Sequence, residues 1–190
     1  MKNTFESIVQ GHQEAIQKTF GAPQFEVLDK MAHAIIHALK SGNKLLLCGN
    51  GGSASDCQHI AAEFVGRFEK TRMSLPAIAL TSDIAALTAI GNDFGFDKAF
   101  SRQIEGLGKK GDILVVLSTS GRSPNILEAI SQAKQQGILT LGFTGKDGGI
   151  LKDAADICFI VKAQKTTYVQ ETHMTALHGI CEVVETILFG

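Results

Sequence analysis

His59, Glu63 and Arg67 stand at i, i+4 and i+8, so a helix through them carries all three on one face. An imidazole and a carboxylate one turn apart can grip a metal ion or pass a proton. The plainer reading is a solvated polar stripe closed by a Glu63–Arg67 salt bridge. Near the carboxyl end, Gln170, His173 and His178 sit among Met174, Leu177, Cys181 and Val184 on an otherwise apolar stripe. Polar groups on a buried face need partners. At about 100° per residue, His178 lies about 80° from Gln170 on one side and His173 about 60° on the other. The two histidines therefore do not easily serve one site, and one is left for a supporting, interface or surface place. His12, His33 and His37 fall in the opening helices, where solvated or interface histidines are expected.

Two further strings have the chemistry of anion binding. Gly49-Asn50-Gly51-Gly52-Ser53-Ala54-Ser55 follows an apolar run and leads into a helix. Glycines let backbone N–H groups approach an anion, and the helix start adds a positive dipole end. The string also satisfies the loose dinucleotide pattern G-x-G-x-x-A. Its first acidic residue after the next strand, Asp83, comes about 30 positions on, where ribose recognition places one at about 20. Ser118-Thr119-Ser120-Gly121-Arg122-Ser123-Pro124 offers four hydroxyls and a glycine ahead of a helix with proline in its first turn. It lacks the lysine of a Walker loop, so triphosphate hydrolysis has no support. Taken alone, Ser123 would be a helix cap. Two such loops at neighbouring strand ends read instead as a ligand site.

The elements that must position these residues follow from periodicity. Phe5, Ile8, Val9, Ile16 and Phe20, then Phe25, Leu28, Met31, Ile35 and Leu39, predict two amphipathic opening helices, the second ending at Ser41-Gly42. Short apolar runs at 44–48, 76–80, 113–118, 138–144 and 157–161 alternate with helical patterns, and a last helix spans about 167–188. Nearly continuous Leu, Ile, Val and Phe is what strands buried on both faces require. The expected fold class is α/β: a three-layer αβα sandwich on a parallel sheet, one domain over 1–190, with residues 1–42 as its opening helices.

Composition bounds the function. Hydrophobic residues make up 44% and charged residues 19%, with a formal net charge of −1. The basic excess of a nucleic-acid binder is missing. Residues 1–10 hold Lys2 and Glu6 with no apolar stretch, and no apolar run approaches the roughly 20 residues of a membrane span. A cytoplasmic protein, with no membrane and no nucleic acid as partner, is expected. Cys48, Cys57, Cys158 and Cys181 form no Cys-x-x-Cys pair, and read as reduced, buried small hydrophobes.

CGNGGS, HxxxE, GNDFGF, STSGxS, TGKDGG and QExHxxxxH follow one another in this order. Together they resemble the phosphoheptose isomerases of the sugar-isomerase (SIS) fold family, from the opening helices to the end of the chain. The resemblance implies a five-stranded parallel sheet and a homotetramer assembled with help from the opening helices, with active sites at subunit contacts. It implies that sedoheptulose 7-phosphate is converted to D-glycero-D-manno-heptose 7-phosphate, for lipopolysaccharide core heptose, through an enediolate.

Carried over residue by residue, it places substrate on Asn50, Gly51, Gly52, Glu63, Asn92, Asp93 and Gln170, with Ser118, Thr119, Ser120 and Ser123 holding the phosphate. It implies one zinc ion per subunit on His59, Glu63, Gln170 and His178, which selects His178 over His173. Glu63 and His178 become the acid–base pair. Two departures stand out. Arg122 occupies a position where members often have Asn, and is expected to face water. Thr166-Thr167-Tyr168 lacks the Asp that some members place before Gln170. The alternative from another class is a non-catalytic tetramer of the same fold that binds the bacterial replication initiator protein. That relative lacks the equivalents of Glu63 and His178, and both are present here.

Overall fold

The computed structural model describes residues 2–190, with side chains from Thr4 onward; Met1, where the amino-terminal reading begins, lies outside the described residues. Two helices, α1 (Lys2–Thr19) and α2 (Ala22–Lys40), precede β1 (Leu45–Gly49) and α3 (Gly52–Val65). Then come β2 (Ala77–Ala79), α4 (Ile84–Phe94), a 3-10 turn at Phe96–Lys98, α5 (Ser101–Leu107) and β3 (Ile113–Ser118). The chain ends with α6 (Pro124–Gln135), β4 (Leu139–Gly145), α7 (Leu151–Ala154), β5 (Ile157–Val161) and α8 (Thr166–Phe189).

The five strands are all parallel, in the order β2-β1-β3-β4-β5. The expected sandwich is what forms, because each central strand must bury both faces. Every residue of β1 and β3 is buried. Leu45, Leu47, Val115, Leu117, Leu141 and Phe143 pack under α2, α3 and α8, whereas Leu46, Cys48, Leu114 and Val116 pack under α5 and α6. Each fully buried Leu or Phe contributes roughly 1.5–3 kcal/mol. All four cysteines are free, and burial pushes Cys158 and Cys181 up to about 12, far from thiolate chemistry.

Strand boundaries shift by a residue or so from the apolar runs. The largest change is β2, expected over 76–80 and observed over Ala77–Ala79. Pro76 has no N–H to give the ladder, and the strand lies at the sheet edge with Ile78 38% exposed. Among the described residues no helix is long and apolar enough to cross a membrane.

Strand order decides where a ligand belongs. Chain progression runs outward from β1 in both directions, to β2 on one side and to β3 on the other. The crevice beyond the carboxyl ends of β1 and β3 is therefore the topological switch point, where open parallel sheets bind ligands. The two loops singled out in the sequence are the ones that leave these two strands.

Candidate active site

Beyond β1 and β3 lies a cavity of about 190 Å³ lined by Asn50, Gly52, Ser118, Thr119, Ser120 and Ser123, with Thr166 and Gln170 closing it from α8. Both helices that begin here lack a side-chain cap: Gly51 precedes α3, and Ser123 precedes α6 with its hydroxyl unbonded to the helix amides. The Ser123 hydroxyl instead faces that of Ser118 at 3.3 Å. The helix-cap reading of Ser123 is thus replaced by a paired-hydroxyl arrangement; Pro124 has no N–H, and the Ile126 and Leu127 amides donate to the Ser123 carbonyl at 3.1 and 3.2 Å. Uncapped helix starts with hydroxyls beside them suit an anion.

Gly52, His59 and Glu63 share one face of α3, at i, i+7 and i+11, and that face meets α8. A Cβ on Gly52 would meet the Gln170 amide, so glycine leaves that amide its place over the cavity. Further along the same seam, His59 Nε2 stands 3.0 Å from His178 Nε2. Glu63 Oε1 lies 3.4 Å from His59 Nε2. The imidazole and carboxylate cluster therefore sits roughly 10 Å or more down α3 from Gly52 at the cavity, at about 1.5 Å rise per residue. An open-chain sugar with phosphate at one end and a carbonyl at the other has that kind of extent.

The Glu63–Arg67 salt bridge is not formed. Arg67 donates to the Glu69 carbonyl at 2.9 Å, and Glu63 turns to His59. His178 is half-buried with its ring 5.8 Å from that of Phe68. His173 takes the other side of α8, as the 140° between the two histidines demands. It is fully buried, its ring edge-on to Phe143, with Nε2 3.1 Å from the Thr144 carbonyl oxygen. The N–H is then on Nε2, and burial lowers the imidazole to about 4, so it is neutral and structural.

Two residue groups are not gathered. Asn92 and Asp93 end α4, bonded to each other at 2.7 Å, exposed and outside the cavity. Arg122 is exposed, as expected, and pairs with Asp147 Oδ2 at 2.6 Å. That pair, with the Gly149 amide, lowers the Asp147 carboxyl, the amide being the larger cause. Sequence reasoning missed Asn125, buried at the second position of α6 and bonded to Asn50. Its place one residue after the Ser-Pro helix start was the available signal.

For a divalent ion, two imidazoles and a carboxylate are donors that zinc accepts. Their 3.0 and 3.4 Å separations compare with roughly 3.4 Å between adjacent ligands on a tetrahedron with 2.1 Å bonds. The donors are linked through His59, and among the described residues no three His, Cys, Asp or Glu side chains surround a common point as they stand. The donor set fits the ion in its chemistry, and the side chains would have to turn toward one point to hold it.

The SIS domain signature matches residues 10–145. The chain is 52% identical over 160 residues to a phosphoheptose isomerase of Bradyrhizobium sp. (strain ORS 278), covering 84% of this chain and 81% of that one. It is 48% identical to a phosphoheptose isomerase of Clostridium acetobutylicum, covering 100% of this chain and 97% of that one. Among solved structures, a phosphoheptose isomerase from Francisella tularensis superposes with a TM-score of 0.87 at 36% identity, over 97% of this chain and 96% of that one. The phosphoheptose isomerase of Neisseria gonorrhoeae gives 0.84 at 39%, again over 97% and 96%.

Proposed function

The chain belongs to the phosphoheptose isomerases of the SIS domain family and is an isomerase, and from that premise we propose that it interconverts sedoheptulose 7-phosphate and D-glycero-D-manno-heptose 7-phosphate. The observation that carries this reading is the His59–His178 contact with Glu63 beside it, on a seam that leads back to the hydroxyl loop. The phosphate sits on Ser118, Thr119, Ser120 and Ser123, with Asn50, Gly51 and Gly52 opposite and Gln170 over the chain of the sugar. Asn92 and Asp93 reach substrate only if assembly brings them to a site. The product feeds heptose of the lipopolysaccharide core, and the reaction is cytoplasmic.

Glu63 takes a proton from C1 of the ketose while the C2 oxygen gains one, giving an enediol or enediolate. His178, the donor to the C2 oxygen, then takes the C1 hydroxyl proton and delivers it to C2, leaving the C1 carbonyl of the aldose, while Glu63 gives up its proton to solvent and His178 regains one from it. His59, Glu63, Gln170 and His178 are the residues that would hold a zinc ion. Bound there, zinc would polarise the carbonyl oxygen and stabilise developing negative charge.

The whole chain is read as one SIS unit that works as a homotetramer. Support comes from the opening helices, where Phe5, Val9 and Phe25 are 69%, 54% and 52% exposed. An apolar groove of about 230 Å³ between α2 and α8, lined by Phe20, Phe25, Leu28 and Ile180, adds to it. Light scattering that returned a stable monomer would remove the assembly.

Incubation with sedoheptulose 7-phosphate in deuterated water tests the reaction. Aldose carrying deuterium at C2 is expected. Absence of aldose from metal-loaded protein would overturn the substrate, and aldose without deuterium would overturn the exchanging enediol.

A further inference from the structure

The two loops of the cavity are joined by one polar bridge that the proposed chemistry does not use. Asn50 Nδ2 donates to Asn125 Oδ1 at 2.9 Å, and Asn125 Nδ2 donates to Asn50 Oδ1 at 2.9 Å. The partners lie 75 residues apart in sequence, one beyond β1 and the other in the first turn of α6. Asn125 is 2% exposed. Asn50 is half-buried and lines the cavity.

A primary amide carries two N–H groups and two lone pairs. The reciprocal pair takes one of each from both residues. It leaves Asn50 one N–H and one lone pair, and locks the amide plane in which they point. A free asparagine has a broad χ2 distribution, so an unpaired Asn50 would sample many orientations and lose the advantage of being preorganised. The bridge also spans the crevice between β1 and β3 directly, and with Ser118 facing Ser123 it braces the loop that follows β3. Buried polar groups that are not fully satisfied are costly, which explains why a side chain this deeply placed takes both available bonds.

We propose that Asn125 is a positioning residue: through its amide pair it fixes Asn50 across the crevice, and so sets the affinity of the cavity for a phosphorylated sugar. The inference rests on the sugar-phosphate reading above and assigns Asn125 no contact with substrate.

The test is a double-mutant cycle on Asn50→Ala and Asn125→Ala, with Asn125→Leu as a second variant that keeps the branch at Cγ and cannot pair. Binding of sedoheptulose 7-phosphate is measured by calorimetry alongside kcat and KM. Both Asn125 variants should raise Kd and KM roughly tenfold with kcat within about twofold. The double variant should bind no worse than Asn50→Ala alone, because Asn125 acts through Asn50. An unchanged Kd in a folded Asn125 variant, or effects that multiply in the double variant, would overturn the assignment. So would failure of both Asn125 variants to fold, which would make the residue part of the framework only. If the parent protein binds the sugar phosphate without turning it over, the isomerase reading fails and the cycle still decides the role of Asn125 by Kd. If the parent binds no sugar phosphate, both readings fall.

Discussion

Arg72 and Glu185 form an ion pair 2.9 Å long, with each side chain only 3% exposed. Glu185 Oε1 also accepts from Phe68 N, and Oε2 from Glu69 N and Lys70 N. Arg72 donates to the carbonyls of Glu63, Phe64 and Met73. The carbonyls of Glu63 and Phe64 end α3 and lack intrahelical partners, so a cation there caps the helix and opposes its dipole. Glu185 belongs to the helix that carries His178. The pair thus ties together the two helices whose side chains meet at His59.

Removing one member should be severe. Glu185→Ala or Arg72→Met is expected to cost about 3–5 kcal/mol, the usual penalty for orphaning a buried charge, read as a shift in urea midpoint. Glu185 is held down to about 2; burial opposes the charge, but the three amides and Arg72 prevail. A lowered carboxyl contributes stability that is complete above about 4.5 and is lost as pH falls toward 2. A variant at either position with the parent's midpoint would remove the clasp from the account.

Glu63 and His178 should matter to rate and little to stability, because both are only partly buried. Glu63→Gln and His178→Gln keep size and polarity while removing the transferable proton. Each should lower kcat by roughly 10²–10⁴ with an unchanged circular dichroism spectrum and assembly state. Near-normal turnover in either would end the acid–base assignment. Chelation should likewise abolish activity and added zinc restore it, and full activity in metal-free protein would take zinc out of the proposal.

Much of this was legible in the sequence, and for identifiable reasons. The run at 113–118 matches β3 because a strand buried at every residue is built from apolar ones, and the run at 157–161 matches β5, an apolar edge strand that is only partly buried. Glu63 was legible relative to His59 because helical spacing fixes neighbours. The meeting of His59 with His178 was not legible from spacing, since 119 residues separate them and only the packing of α3 on α8 joins them. Asn125 and the Arg72–Glu185 pair escaped for the same reason. Each is an unremarkable polar residue locally, and becomes informative only through a partner far away in the chain. Asn92 and Asp93 show the converse: a distinctive string whose side chains, in one subunit, hydrogen-bond to each other and stay exposed.

TGKDGG was a motif without a role, and the fold supplies one. Gly149 has φ +58, and a Cβ there would stand 2.5 Å from the carbonyl oxygens of Ser120 and Gly121. The Gly121 carbonyl in turn accepts from Ile150 N at 2.9 Å and Leu151 N at 3.0 Å. The glycine turn is a buttress against the back of the hydroxyl loop. Gly149→Ala should cost about 1–3 kcal/mol from backbone strain and overlap. It should also raise KM for the sugar phosphate well above that of the parent, with a smaller change in kcat. A KM equal to the parent's in a folded variant would detach this turn from ligand binding.

His173 should set the upper part of the acid response. In the unfolded chain its imidazole takes a proton near 6.5, whereas in the fold burial holds it to about 4, only partly offset by the Thr144 carbonyl. Between those values the unfolded state binds more protons, so stability is complete above about 6.5 and declines as pH falls toward 4. The loss from this one group amounts to roughly 3 kcal/mol. It comes at higher pH than the loss from Glu185, which begins only below about 4.5. Its Nδ1 has no partner among the described residues, so nothing there compensates a second proton. His173→Gln keeps a donor for the Thr144 carbonyl and cannot titrate. Whatever its stability at pH 7, its urea midpoint should vary less between pH 6.5 and 4 than the parent's. Equal slopes would mean that another group carries the proton uptake.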